Sequence, residues 1–184
     1  MRKVEVTPYH PRWTRMFNEE ADQLRDVFGS VILDIHHIGS TSVEGLKAKP
    51  IIDMMPVVRD IHNIDGFNKA MIAMGYEPMG ENGIPGRRFF QKGGDNRTHH
   101  IHMYQLGNPE IERHLAFRDY LRAHPKSAKE YGNLKEALAQ QFPYDIESYI
   151  KGKEQLVTDI EQKALRGIEE KHKLLTIMFH MKHS

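Results

Sequence analysis

With 184 residues, the chain is long enough to bury about 70% of the surface its unfolded form exposes, which fits one domain on one core. Its 26 Lys and Arg against 25 Asp and Glu leave a net charge of +1, so no whole-molecule field draws in nucleic acid or a membrane surface, and both are set aside as partners. The absence of cysteine excludes disulfides, thiolate metal sites and cysteine nucleophiles and fits a cytoplasmic setting; no run approaches the ~20 apolar residues of a membrane span, and the N-terminus has no signal-peptide core.

Along the chain, Trp13, Phe17, Leu24 and Phe28 recur at helical spacing between Pro11 and Gly29, predicting an amphipathic helix over 11–28 that covers a sheet. A β-rich stretch predicts a strand over 31–38. The polar loop of Gly39 and Ser40 follows, and then a second strand over 51–58 in which Pro56 marks a sheet edge or an irregular end. This second strand holds one acid, Asp53, in the apolar run Ile51-Ile52-Asp53-Met54-Met55. An ionised carboxylate there costs several kcal/mol, in order of magnitude, unless something pairs it.

Ile64, Phe67, Met71 and Met74 before Gly75 predict a helix over 61–74. A short strand over 76–78 and a loop over 80–86 come next. A hairpin then pairs 88–92 with 98–104 around a four-residue turn at 93–96. Alternation puts Thr98, His100, His102 and Tyr104 on one face and His99, Ile101 and Met103 on the other. Asn108 and Pro109 make a helix start, and Pro125 and Pro143 divide the remainder into helices near 109–123, 126–142 and 145–166. The expected organisation is one α/β domain over 1–166, with a sheet core at about 31–106 and a helical unit at about 108–166. Residues 167–184 read equally as a further helix or a loose tail.

Each helix of that unit carries one cation on its apolar stripe: Arg118 after Ile111 and Leu115, Lys135 between Tyr131 and Leu138, and Lys153 between Tyr149 and Val157. Singly, each could lay its stem along the stripe and lift its head into water. Together they suggest a positively charged cleft facing the sheet, able to hold an anion or to pair Asp53. His100 and His102 sit two apart on one strand face, a chelating arrangement that one carboxylate would complete as a divalent-metal site, and Asp53 is the obvious third ligand. Hydrogen-bonded scaffold is the plainer reading of the same histidines. Gly39-Ser40 between two strands is a plausible phosphate cradle.

These segments, HIGSTSVEGLKAKPIID at 37–53, RTHHIHMY at 97–104, HLAFRDYLRAHP at 114–125, and the Tyr131/Lys135 and Tyr149/Lys153 pairs, resemble the GrpB family within the nucleotidyltransferase superfamily. The resemblance implies a nucleotidyltransferase-like mixed sheet, with Gly39 and Ser40 contacting phosphate and Asp53 as the first metal-binding, catalytic carboxylate. It implies a nucleoside triphosphate or other phosphorylated small molecule as ligand, gripped by Lys135, Lys153 and Arg118, and Mg2+ or Mn2+ as cofactor. The wider superfamily has a second acid two residues after the first, where this chain has Met55, and a thioether is no ligand for a hard cation. His100, His102 and Asp34 are the groups that could compensate. Three readings therefore stand: metal-dependent nucleotidyl transfer to an unknown acceptor, a non-catalytic nucleotide or anion-binding module, and a His/carboxylate metalloprotein holding Zn2+ or another transition metal.

Overall fold

In a computed structural model, which describes residues 3–182, five strands among the described residues form one mixed sheet. They are β1 (Ile32–Ile38), β2 (Ile52–Val58), β3 (Tyr76–Pro78), β4 (Arg87–Lys92) and β5 (His99–Gln105), in the order β1-β2-β5-β4-β3. All neighbours are antiparallel except β2 and β5. The α/β class, the strands and their approximate bounds are as the sequence predicts.

Three expectations need correction. β2 is an interior strand, not an edge: Pro56 faces Ile35 of β1, and the ladder to β5 lapses between the pairs Met54/Ile101 and Val57/Tyr104. The proline, having no N–H, is accommodated at that gap. The segment 61–74 is not one helix. Residues Ile61–Phe67 form a 3-10 turn, and only α2 (Asn68–Ala73) is α-helical. Asn63, Asp65 and Gly66 are poor helix formers, and Asp65 is engaged elsewhere, accepting two hydrogen bonds from Arg88 at 2.7 and 3.1 Å. The hairpin connection is six residues rather than four, because Lys92 pairs with His99 and the Thr98 N–H closes on the Lys92 carbonyl.

One sheet face is covered by α1 (Arg12–Phe28), whose Trp13, Leu24 and Phe28 pack with Ile52, Met54, Val58, Ile101 and Met103. Period-two alternation therefore turns Asp53, Met55, His100, His102 and Tyr104 to the opposite face. There α3 (Pro109–Ala123) closes part of the surface, with Ile111 and Leu115 against Ile38, Met55 and Tyr104. The Asn108 side chain caps α3 by accepting from the Glu110 N–H at 2.9 Å.

α4 (Pro125–Gln141) and α5 (Ile146–Lys182) follow. A Cβ at Gly152 would collide with the Leu138 side chain, so this glycine allows the close approach of α4 and α5. Val4, Leu138, Ala139 and Tyr149 form a small core beside that contact. The N-terminal segment is tied down there by Val4 N–H to the Pro143 carbonyl and by a bridge between Thr7 and Ala48. The tail of 167–184 continues α5 as helix to Lys182, with every residue exposed over 169–181; its last two residues lie outside the described ones. Among the described residues no helix is long and apolar enough to cross a membrane.

Candidate metal and anion site

β2 and β5 run parallel in a register that sets Asp53 beside His100. His102 lies one alternation further along β5, so its ring projects from the same face. Asp53 Oδ1 is 3.1 Å from His102 Nε2 and 3.5 Å from His100 Nδ1. One donor atom from each residue falls within 4.8 Å of the others, close enough for a single ion to touch all three. The carboxylate keeps 29% of its side-chain surface accessible and the histidines 21% and 15%, so the group is reachable from outside. Burial pushes the Asp53 carboxyl up, but hydrogen bonds from His100 and His102 outweigh it. Asp53 is held well below the usual carboxylate range. A carboxylate oxygen with two imidazoles suits a transition-series divalent ion better than Mg2+, which prefers oxygen ligands throughout.

Behind His102 lies Arg87, an arginine only 6% exposed. Its guanidinium donates to the carbonyls of Glu81 and Asn82 at 3.1 and 2.7 Å, covers the Phe89 ring, and reaches to 3.4 Å from His102 Nδ1. Guanidinium only donates. In this arrangement His102 therefore presents its Nδ1 lone pair to Arg87 and its Nε2–H to Asp53. Coordination through Nε2 requires the proton on Nδ1 and the loss of the long Arg87 contact.

Gly39 abuts the carboxylate directly. Its φ is +69°, and a Cβ there would sit 2.8 Å from Asp53 Oδ2, so both backbone conformation and space demand glycine. The turn continues with Ser42 N–H and Oγ donating to the Gly39 carbonyl. The Ser40 hydroxyl accepts from Lys135 Nζ at 2.7 Å. Lys135 is 3% exposed and lies over the Tyr131 ring at 4.4 Å. Burial, with the charges of Lys153 and Lys49, drives its ammonium well below the ordinary lysine range, against the pull of Asp53.

Lys153 and Lys49 lie over the ring of Tyr149, at 5.8 and 5.3 Å from its centroid. Lys135 thus reaches the Gly39-Ser40 turn, with Lys153 and Lys49 near enough to act on its charge, and Lys135 and Lys153 are the helix cations singled out in the sequence. Lys49 was missed. It precedes β2 in a loop, where no periodicity marks it, and its closeness in sequence to Asp53 was the only signal. Arg87, at the start of a strand, was missed for the same reason.

Arg118 stands apart. Its Nη1 donates to the His37 carbonyl at 3.2 Å and its Nε to Asp119 at 2.8 Å, so it braces the end of β1. Asp34 does not complete the metal group: it faces Val57 in the register where Ile38 faces Asp53, its side chain is 60% exposed, and its carboxylate binds the Ile35 N–H and His36. Met55 is fully buried with Ile38 and Tyr104, an apolar contact two residues after Asp53. His37 is stacked on Phe17 and hydrogen-bonded to Thr41 at 2.9 Å. Burial, aided by Arg122 and Arg118 and opposed by Asp53, pushes its pKa down to about 4.

Comparison with known proteins agrees with the motif order. The family described as GrpB protein matches residues 3–163. The UPF0157 protein YqkA of Bacillus subtilis is 56% identical over 165 residues, 90% of this chain, and this chain spans about half of that relative's length (48%). The crystal structure of the conserved protein GrpB from Enterococcus faecalis superposes with a TM-score of 0.87 at 46% identity, covering 89% of this chain and 99% of the other. A far more distant likeness, TM-score 0.46 at 12% identity over 70% of this chain and 43% of the other, is to the Cid1 poly(U) polymerase; at that distance it carries no functional weight.

Proposed function

We propose, from the premise that the chain belongs to the GrpB family, that it binds a divalent metal ion together with a phosphorylated small molecule, a nucleoside triphosphate first among candidates. The observation that carries this reading is the placing of two complementary groups on one face. Asp53, His100 and His102 supply three converging metal donors, and Lys135 reaches the turn that packs on Asp53 with Lys49 and Lys153 close enough to depress it. Phosphate recognition needs both positive charge and short donors, and a buried lysine repelled by two others gains most when an anion arrives.

In this reading Asp53, His100 and His102 hold the ion. When bound, it would neutralise phosphate charge and polarise the bond to be broken. Gly39 leaves room beside the carboxylate. Lys135 holds Ser40 in place and shares its charge with a phosphate oxygen, and Lys49 and Lys153 add field from the Tyr149 side. Arg118 acts at one remove, fixing the end of β1 that leads into the turn. Nucleotidyl transfer to an acceptor hydroxyl, with pyrophosphate leaving, is the reaction such a layout would serve through positioning and electrostatics.

A second reading rests on Met55. With an apolar side chain where a second carboxylate would stand, and with imidazole donors in its place, a binding module without transfer, or a transition-metal protein of other chemistry, accounts for this face equally economically. Calorimetric titration of inorganic triphosphate in Mn2+, repeated on Asp53→Asn and Lys135→Met, tests the shared claim. Binding weakened by either substitution supports it, and binding unchanged in both removes it. Pyrophosphate release with a panel of acceptors then separates transfer from binding.

A further inference from the structure

A cavity of about 860 Å³ opens beside the site. It shares two residues with the groups already described, His100 of the metal donors and Lys49 of the lysine group. Its volume is within the range of small-molecule sites, far larger than one phosphate group needs.

The walls differ in character. The first turns of α5 and the residues before them contribute Tyr144, Ile146 and Ile150, which are 57%, 43% and 51% exposed. Large side chains left open singly on a surface need no explanation, but three gathered on one cavity wall do. The connection between β4 and β5 supplies Asp95, Asn96 and Arg97; Arg97 Nε donates to the Gly94 carbonyl at 2.7 Å and its Nη1 to the Gln91 carboxamide oxygen, which leaves its Nη2 and the Asn96 amide to meet a ligand. The same helix that carries Ile146 and Ile150 carries Tyr149 and Lys153, so the apolar wall and the lysine group are fixed to each other by one rigid element.

We infer that this cavity receives the nucleoside of a nucleotide whose phosphates lie at the lysine group and the Asp53 site. The inference deepens the proposed function and rests on it. A flat, amphipathic base matches a wall of one aromatic and two aliphatic side chains, while its polar edge meets Asn96 and Arg97. Lys49 stands at the join, touching both the cavity and the lysine group, which places a charge where sugar gives way to phosphate.

The test compares ATP, GTP, CTP and UTP with inorganic triphosphate by calorimetry in Mn2+, on the full chain and on Ile150→Ser and Tyr144→Ala. Both positions are exposed, so neither substitution removes core packing. At least one nucleotide is expected to bind tenfold or more tighter than triphosphate. Each variant should cut that preference to less than threefold while leaving triphosphate affinity unchanged. If triphosphate binds but no nucleotide binds tighter, or if the preference survives both variants, the cavity is not a nucleoside site and the proposed function still stands. If triphosphate itself does not bind, the proposed function falls and this inference with it.

Discussion

Lys135→Met is the substitution from which most can be worked out in advance. The ammonium is 3% exposed, donates to Ser40 Oγ at 2.7 Å and sits in the field of Lys49 and Lys153. Burial, reinforced by those two charges, lowers the folded-state pKa below that of the unfolded chain. The sign follows for a base: between the two pKa values the unfolded state holds a proton that the folded state has released. The penalty is therefore complete at low pH and relieved as pH rises towards the unfolded value of about 10.4. Within that window the lysine contributes a slope of about 1.4 kcal/mol of stability per pH unit. Methionine matches the length, keeps the contact with Tyr131 and has no charge to desolvate. It gives up the hydrogen bond to Ser40, worth about 0.5–1.5 kcal/mol from the neutral amine, but the half-buried Ser40 hydroxyl can turn to water. Urea denaturation of both proteins at pH 7.5, 8.5 and 9.5 should find the variant equally or more stable at the lowest pH, with its advantage shrinking as pH rises. Triphosphate binding should weaken by about 1–3 kcal/mol. A variant less stable by more than about 1 kcal/mol at every pH, with wild-type anion affinity, would show that Lys135 is a structural brace and not an anion ligand.

Asp53→Asn should abolish the rise in melting temperature that Mn2+ produces by binding the native state. It should make the metal-free protein less stable near neutral pH, since the hydrogen bonds that hold the Asp53 carboxyl below its usual range favour the folded state; an unchanged metal response in thermal denaturation would take Asp53 out of the site. Gly39→Ala should cost about 1–2 kcal/mol for the positive φ alone, and more from the 2.8 Å approach to Asp53 Oδ2, with metal affinity falling alongside; equal stability and affinity by denaturation and calorimetry would contradict the close packing. His37, pushed down to about 4 by burial, stays neutral in the fold while the unfolded chain protonates below pH 6.5, so it withdraws up to about 3 kcal/mol of stability as pH falls from 6.5 to 4. His37→Gln should flatten that part of the stability profile, and an identical profile would remove His37 as its source.

The fold was legible where periodicity was strong. The strands around Asp53, the sheet-covering α1 and the capped start of α3 follow from alternation, helical spacing and the Asn108-Pro109 pair. Segment 61–74 misled because Ile64, Phe67 and Met71 keep helical spacing even through a 3-10 turn, where residues three apart also share a face. Pro56 misled because a gap in one ladder of an interior strand is a tertiary fact that sequence does not carry. At the site, His100 and His102 could be paired from strand alternation alone. Their meeting with Asp53 depends on the parallel register of β2 and β5, which joins residues 49 apart. Lys135 and Lys153 were visible as cations on apolar stripes. Lys49 and Arg87, outside any helical pattern, become evident only when the loop and strand are placed against the rings of Tyr149 and Phe89.

In the proposed reading one sheet face holds a metal ion and a phosphate group side by side. The most direct measurement is anomalous diffraction from crystals grown with Mn2+ and inorganic triphosphate. One strong manganese peak is expected within coordination distance of Asp53, His100 and His102, with triphosphate density reaching the Lys135 ammonium. A peak elsewhere, or triphosphate bound away from Lys49, Lys135 and Lys153, would contradict that reading.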